Sequence, residues 1–166
     1  ELTELFNRYL GPKWLTEPSN ETIWDRVSTI PDTELWRTHE RRRERLVAFV
    51  RRRLKKQLAD RGATKKDRNA INEILDPEAL TIGFARRFAT YKRAALLFQD
   101  LERLDKLLND PKRPVQLIFA GKAHPADEKG KALIQNITNI SKDPRFERSI
   151  VFIENYDMNV ARYMVQ

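Results

Sequence analysis

The apolar positions in the first half of the chain recur with helical spacing. Residues 1–10 predict a short helix that ends at Gly11-Pro12, because proline cannot continue a helix and glycine loosens its end. A second short helix follows, for which Ser19 or Asn20 can serve as the N-cap. The first part of the chain is therefore expected to be helical.

The longest helical pattern begins at Pro31-Asp32 and contains no glycine or proline before Gly62. Its apolar residues fall at spacings of three and four along one face, with arginines on the other faces. They are Leu35, Trp36, Leu46, Val47, Val50, Leu54 and Leu58. This pattern predicts one long amphipathic helix with a buried stripe, followed by a further helical turn over residues 70–75.

The second half of the chain has a different pattern. Three short apolar runs rich in strand-forming residues occupy residues 79–84, 115–120 and 149–154. A helix-like stretch follows each run, over residues 87–108, over residues 125–140 and from Asn159 onwards. Short strands that alternate with helices predict β-α-β crossovers and a parallel sheet covered on both faces.

Together these patterns predict an α/β fold. A helical N-terminal half, residues 1–78, is followed in residues 79–166 by a partial Rossmann-like parallel sheet of three strands. Three strands are few for such a domain, so we expect further strands after Gln166. The chain begins at Glu1 without an initiator methionine, and we expect it to be a piece of a longer protein.

Composition narrows the class of protein. Hydrophobic residues make up 40% and charged residues 34% of the chain, which is typical of a soluble globular protein. Cysteine is absent, which excludes disulfides and thiolate metal sites, and with only His39 and His124 a metal site is not expected. No signal peptide and no apolar run of about 18 residues is present, so we expect a cytoplasmic protein without membrane contact.

The net charge of +8 is concentrated in one segment. Residues 37–68 hold fourteen lysines and arginines against four acidic residues, a local charge of +10. Such a segment can bind nucleic acid, or it can form a solvated or interdomain surface. We favour the second interpretation, because the arginines surround a regular apolar stripe, and nucleic acid is not expected as a partner.

Ligands of open parallel sheets collect beyond the carboxyl ends of the strands. Three segments are predicted to lie there, namely residues 83–93, 121–125 and 155–157. Gly83 and Gly121 are expected in these loops, where glycine lets the backbone turn sharply and approach a ligand closely.

Arg86, Arg87 and Lys92 are expected near the N-terminus of the helix that follows the first strand. Free backbone N–H groups and the helix dipole favour anions there, and arginine offers a planar fork that matches phosphate. The set predicts a phosphate site. The alternative is that these residues are solvated surface cations.

The first of these segments resembles a segment of the glycogen/starch (α-glucan) phosphorylase family. In that family a basic pair, here Arg86-Arg87, is followed four residues later by Tyr-Lys-Arg, here Tyr91-Lys92-Arg93. Two departures are present: Arg86 stands where lysine is common, and Ala89-Thr90 stands where many members have His-Glu. The second departure indicates a divergent branch of the family.

Two further motifs extend the resemblance. Residues 119–125 are similar to the family's Gly-Lys-Ala-x-Pro turn, and residues 150–161 contain Glu154-Asn155-Tyr156, similar to its strand that ends in Glu-Asn-Tyr. Order and spacing agree across all three motifs, so the resemblance covers residues 79–161. The helical first half fits as the segment that leads into the C-terminal catalytic half.

The resemblance implies a glycosyltransferase B-type domain and phosphorolysis. Inorganic phosphate would attack the terminal glucosyl unit of an α-1,4-glucan and release glucose 1-phosphate with retained configuration. The implied cofactor is pyridoxal phosphate, whose 5′-phosphate acts as the acid–base partner of the substrate phosphate. Two phosphate groups repel each other unless fixed cations surround them, which accounts for a basic pair and a lysine.

The resemblance also implies a role for each matching residue. Arg87 and Lys92 would hold the substrate phosphate, and Arg86 would face the cofactor phosphate. Tyr91 would touch the glucosyl unit, and Tyr156 would lie beside the cofactor ring. The family's cofactor-bearing lysine lies beyond Glu-Asn-Tyr and after the end of this chain, so we expect no catalytic residue in the chain and no activity from it alone.

Two other functions remain open at this stage. A sugar-nucleotide-dependent glycogen or starch synthase has the same architecture and also places a basic pair after the first strand, but the Tyr-Lys-Arg and Glu-Asn-Tyr motifs favour a phosphorylase. The second alternative is a non-catalytic basic binding module. A homo-oligomeric parent is compatible with the leading interpretation.

Overall fold

The computed structural model describes residues 1–165. It divides into a first unit, Glu1–Glu44, and a second unit that begins at Arg45. The break lies inside a long helix and differs from the boundary that we predicted after residue 78. The assignment of residues 79–166 to a separate domain of a longer protein stays a prediction.

The first unit is helical, as the sequence predicts. It contains α1 (Leu2–Leu10), α2 (Glu21–Trp24), two 3₁₀ segments (Pro12–Leu15 and Asp25–Thr29) and the beginning of α3 (Asp32–Asp60). Asn20 caps α2, because its side chain accepts a hydrogen bond from the N–H of Thr22 at 3.2 Å. The expected cap and the beginning of the long helix are therefore confirmed.

Three half-buried aromatic side chains pack against one another in the first unit. Phe6 meets Trp14 and Trp24 edge to face, with ring centroids 5.2 and 6.2 Å apart. The indole N–H of Trp14 donates to Asn7, and that of Trp24 donates to the carbonyl of Pro18. Both indoles are half-buried, and their ring contacts and hydrogen bonds lie within the unit.

The second unit contains the remainder of α3 and all three strands. Its elements are α4 (Lys65–Ala70), β1 (Leu80–Ala85), α5 (Leu101–Leu108), β2 (Val115–Ala120), α6 (Glu128–Ile140), β3 (Ile150–Ile153) and α7 (Met158–Met164). The strands form one parallel sheet in the order β1-β2-β3. This confirms the predicted α/β fold with a three-stranded parallel sheet.

Successive strand residues point to opposite sides of the sheet, so the apolar strands have two apolar faces. Helices cover both of them. On one side, Ile118 and Val151 pack with Val50 and Leu54 of α3. On the other side Phe119 and its neighbours pack with α5 and α6; the buried partners include Leu104, Leu108 and Ile137. Burial on the sheet thus accounts for the stripe from Leu46 to Leu58. The prediction is wrong at its beginning, because Leu35 is 38% exposed and Trp36 is 56% exposed.

The helix that we predicted over residues 87–108 is wrong in its first half. The chain forms two 3₁₀ turns, Thr90–Lys92 and Leu96–Gln99, and α5 begins only at Leu101. Arg93 has a left-handed backbone with φ of 56°, which ends the first turn. Asp100 then caps α5 by accepting a hydrogen bond from the N–H of Arg103 at 2.9 Å.

Candidate functional site

The three strands end at the same level of the sheet. Ala85 lies opposite Ala120, and Ala120 lies opposite Ile153. Three loops therefore leave the sheet side by side: the first loop (residues 86–93), the second loop (residues 121–125) and the third loop (residues 154–157). The segments that the sequence places at the carboxyl edge are brought together there.

The first and second loops are joined by their backbones. The N–H of Phe88 donates to the carbonyl of Lys122 at 2.9 Å. Gly121 is buried with φ of 153°, and a Cβ there would lie 2.1 Å from the carbonyl oxygen of Arg86. Gly121 was expected to let the backbone approach a ligand; within the described residues it approaches the first loop instead.

Gly83 requires a correction. It lies inside β1, opposite Ile118, and is not a loop residue. A Cβ at this position would lie 2.9 Å from the terminal methyl carbon of Met164. The missing side chain therefore gives room to α7 on the face of the sheet, which is a packing role.

Phe88 fixes the first loop and was missed by sequence reasoning. It is 0% exposed, and its ring lies 5.4 Å from that of Phe84 and 5.7 Å from that of Phe152. Its carbonyl oxygen lies 2.5 Å from the position that a Cβ on Gly130 would occupy, so it also abuts the first turn of α6. The one signal in the sequence was a large apolar residue next to a basic pair.

The cations of the first two loops have no acidic partner within the part of the chain that the structure describes. Among residues 1–165, the side chains of Arg86, Arg87, Lys92, Arg93 and Lys122 form no salt bridge. The Nζ of Lys92 lies 4.6 Å from the ring centroid of Tyr91, which is itself 71% exposed. Five positive charges at one edge of a sheet make a site suited to anions.

The helix N-terminus that was expected beside these cations is absent from the described first loop. Arg86 and Arg87 lie in extended and irregular backbone, and the nearest turn is the 3₁₀ segment Thr90–Lys92. The attraction of this edge for anions therefore comes from side-chain charge and not from a helix dipole at the start of α5.

The third loop is anchored to its surroundings. Tyr156 is half-buried and packs against the apolar cluster shared by α3, the sheet and α7. Asp157 caps α7 by accepting a hydrogen bond from the N–H of Val160 at 2.8 Å. A hydrogen bond from Arg53 and that backbone N–H hold the pKa of Asp157 below its ordinary value.

A cavity of about 400 Å³ opens beside the first loop. Thr90 and Arg93 line it on one side, and Leu133 and Asn136 of α6 line it on the other. Arg86, Arg87 and Lys92 are not among its lining residues. The cavity and the cluster of cations at the carboxyl edge are therefore two separate sites beside the first loop.

No helix within the described part of the chain is long and apolar enough to span a membrane. Residues 1–165 also contain no group of three or more His, Cys, Asp or Glu side chains that could hold a metal ion. His124 is exposed in the second loop, where its Nδ1 accepts a hydrogen bond from the N–H of Ala126 at 3.1 Å.

Comparisons with known proteins agree with the motifs. A family model described as carbohydrate phosphorylase matches residues 1–166. Glycogen phosphorylase of Aquifex aeolicus is 45% identical over 166 residues, which is 100% of this chain and 24% of that protein. Maltodextrin phosphorylase of Thermococcus litoralis is 44% identical over 168 residues, which is 99% of this chain and 19% of that protein.

A more distant relative, glycogen phosphorylase of Pasteurella multocida, is 29% identical over 175 residues, covering 99% of this chain and 20% of that protein. The chain thus spans about a quarter or less of the length of these relatives. The matches do not favour the synthase or the basic binding module. The order of the three loop motifs, the parallel sheet and these matches agree, and the chain belongs to the carbohydrate phosphorylase family.

Proposed function

We propose that the full-length protein is an α-glucan phosphorylase. It transfers the terminal glucosyl unit of an α-1,4-glucan to inorganic phosphate and releases glucose 1-phosphate with retained configuration. The relatives with the same segment are named glycogen and maltodextrin phosphorylases. A cytoplasmic location and a homo-oligomeric parent belong to the same proposal.

The observation that carries the proposal is the set of cations without acidic partners at the carboxyl edge. Solvated surface arginines commonly pair with nearby carboxylates, whereas a phosphate site keeps its cations available. The buried ring of Phe88 holds the backbone beside Arg87 in place. A fixed backbone with free basic side chains is the arrangement that preorganised anion binding needs.

Arg87 and Lys92 are assigned to the substrate phosphate, and Tyr91 to the glucosyl unit. Two singly charged oxygens about 5 Å apart repel by about 3 kcal/mol at an effective dielectric constant of about 20. Cations from the first loop offset that repulsion when a substrate phosphate lies near a second phosphate group. In this assignment the residues of the chain bind and orient; none of them transfers a proton.

The residues of the edge fit the phosphate end of pyridoxal phosphate, because Arg86 is exposed there and has no acidic partner within the described residues. Arg86 would face that phosphate, and the half-buried ring of Tyr156 would lie beside the cofactor ring. When bound, the cofactor would supply its 5′-phosphate as the acid–base partner of the substrate phosphate. The inactivity of this chain alone remains a prediction.

The test is Arg87→Ala in the full-length protein, assayed by release of glucose 1-phosphate from maltodextrin and inorganic phosphate. We expect kcat/KM for phosphate to fall about 100-fold or more, the usual cost of removing one fixed donor to a developing charge. The melting temperature should change little, because the Arg87 side chain is exposed.

Arg113→Ala is the matched control. Arg113 precedes β2 at the opposite edge of the sheet, is 87% exposed and has only a long contact of 3.7 Å with Asp110. This variant should keep the phosphorolysis rate of the wild type. A full rate in Arg87→Ala would show that the phosphate assignment is wrong. Glucosyl transfer from a sugar nucleotide without phosphorolysis would instead favour the synthase.

A further inference from the structure

The third loop carries the only acidic residues among the three loops of the carboxyl edge, Glu154 and Asp157. Each of them is paired with an arginine: Arg53 of α3 hydrogen-bonds to Asp157, and Arg61, the residue that follows the end of α3, hydrogen-bonds to Glu154. Both arginines thus hold the third loop against the C-terminal end of α3.

Gln57 of α3 lies between these arginines in the sequence, four residues from each. Its Nε2 donates to the carbonyl of Phe152 at 3.2 Å, and its Oε1 accepts from the N–H of Glu154 at 2.9 Å. The side-chain amide therefore pairs with the end of β3 as a neighbouring strand would. This contact holds the backbone of Glu154 beside α3, so that its carboxylate stays within reach of Arg61.

The positive and negative charges of the carboxyl edge therefore differ in whether they are paired. Five cations of the first and second loops have no acidic partner among residues 1–165, whereas both carboxylates of the third loop have a basic one. An unpaired carboxylate beside a phosphate would repel it, since like charges within about 10 Å of each other are only partly screened by salt. Two arginines of the basic segment, residues 37–68, are thus used to pair the carboxylates of the third loop.

We propose that Arg53 and Arg61 neutralise the carboxylates of the third loop and so keep the carboxyl edge attractive to phosphate. They act through Asp157 and Glu154 and are positioning residues that do not touch the substrate. The inference rests on the proposed phosphorolysis, because that reaction places phosphate at this edge. It assigns a role in phosphate affinity to the end of α3 and the residue that follows it, which precede the loop motifs in the sequence.

The test uses Arg53→Met and Arg61→Met in the full-length protein, with the KM for phosphate and the KM for maltodextrin measured separately. We expect the KM for phosphate to rise about fourfold at low salt. This is the effect expected when one unit charge lies about 10 Å from a singly charged anion at an effective dielectric constant of about 40. The KM for maltodextrin should not change. The rise should shrink at about 0.5 M salt, where exposed charges are screened.

Two further variants separate charge from structure. Arg52→Met removes the same charge from α3, but Arg52 is exposed and forms no salt bridge or side-chain hydrogen bond within the described residues, so the KM for phosphate should stay at the wild-type value. In Arg61→Met/Glu154→Gln both members of a pair are neutral, and the KM for phosphate should return to the wild-type value. A purely structural role for Arg61 would not be rescued in this way.

The proposal is overturned if Arg53→Met and Arg61→Met raise the KM for phosphate no more than Arg52→Met does, or if Glu154→Gln fails to restore it. If the arginine variants do not fold, Glu154→Gln alone decides. It frees Arg61 and should lower the KM for phosphate, and an unchanged or higher value overturns the proposal. A wild-type protein that does not consume phosphate would instead refute the phosphorylase function itself.

Discussion

The contact between Gly121 and the first loop makes Gly121→Ala an informative substitution. A Cβ at this position would lie 2.1 Å from the carbonyl oxygen of Arg86 and 2.9 Å from the ring of Phe88. A carbon normally stays about 3.3 Å or more from such an oxygen. The first loop would have to move by about 1 Å, and it carries the cations assigned to phosphate.

The expected cost has two local parts. The hydrogen bond from Phe88 to the carbonyl of Lys122 would be weakened, which costs about 1 kcal/mol. Displacement of the buried Phe88 ring adds about 1–3 kcal/mol, the usual cost of overpacking a core. A displacement of about 1 Å in a binding group can also lower kcat/KM about 100-fold, and we expect a loss of that order for phosphate.

Gly62→Ala is the matched control for the backbone. Gly62 also has a positive φ, 74°, but a Cβ there would have no atom within 4 Å. Both variants place an alanine at a positive φ, and only Gly121→Ala adds a clash with the first loop. The assays are thermal unfolding and the phosphate dependence of glucose 1-phosphate release in the full-length protein.

We expect Gly121→Ala to unfold at a lower temperature than Gly62→Ala and to lose affinity for phosphate, while Gly62→Ala keeps the wild-type kinetics. Equal melting temperatures and equal kcat/KM values for the two variants would refute the reasoning. In that case the close approach of the two loops would not be needed for the site.

Two predictions concern stability away from the site. Arg145 lowers the pKa of Asp143 from 3.8 to about 2, so this carboxylate stabilises the fold above about pH 4, and the contribution is lost as the pH falls towards 2. Asp143→Asn should therefore lower the melting temperature at pH 7 and lower it much less at pH 2, where the carboxyl of the folded protein is partly protonated; equal effects at both pH values would contradict the assignment. Thr64 and Asp67 form a capping box at the start of α4, and Thr64→Ala should lower the free energy of unfolding by about 1 kcal/mol in urea titrations. An unchanged unfolding midpoint would show that this cap does not contribute.

Local patterns in the sequence determined most of the regular structure. The apolar run of residues 115–120 coincides with β2, and the pattern that begins at Pro31-Asp32 coincides with the start of α3. These patterns are sufficient because burial of one face depends on spacing within the element itself. The meeting of the three loops also followed from the sequence, since parallel strands end at one edge.

Tertiary structure alone decided the path of the first loop. Helix-forming residues over 87–99 predict a helix, but the buried ring of Phe88 and its bond to Lys122 hold the chain in irregular backbone. Those contacts are made with the second loop and α6. The sequence of residues 87–99 does not determine where these more distant elements lie. Packing therefore overrode the helical propensity of this segment.

The pairing of Arg53, Gln57 and Arg61 with the end of β3 and the third loop has the same origin. Arg53, Gln57 and Arg61 bond to residues that lie 104, 95 and 93 positions away along the chain. The sequence established the charge and the helical spacing of these residues, and the motifs established the family. Only the folded sheet, by bringing the end of β3 against α3, determined which arginines are paired and which are left for an anion.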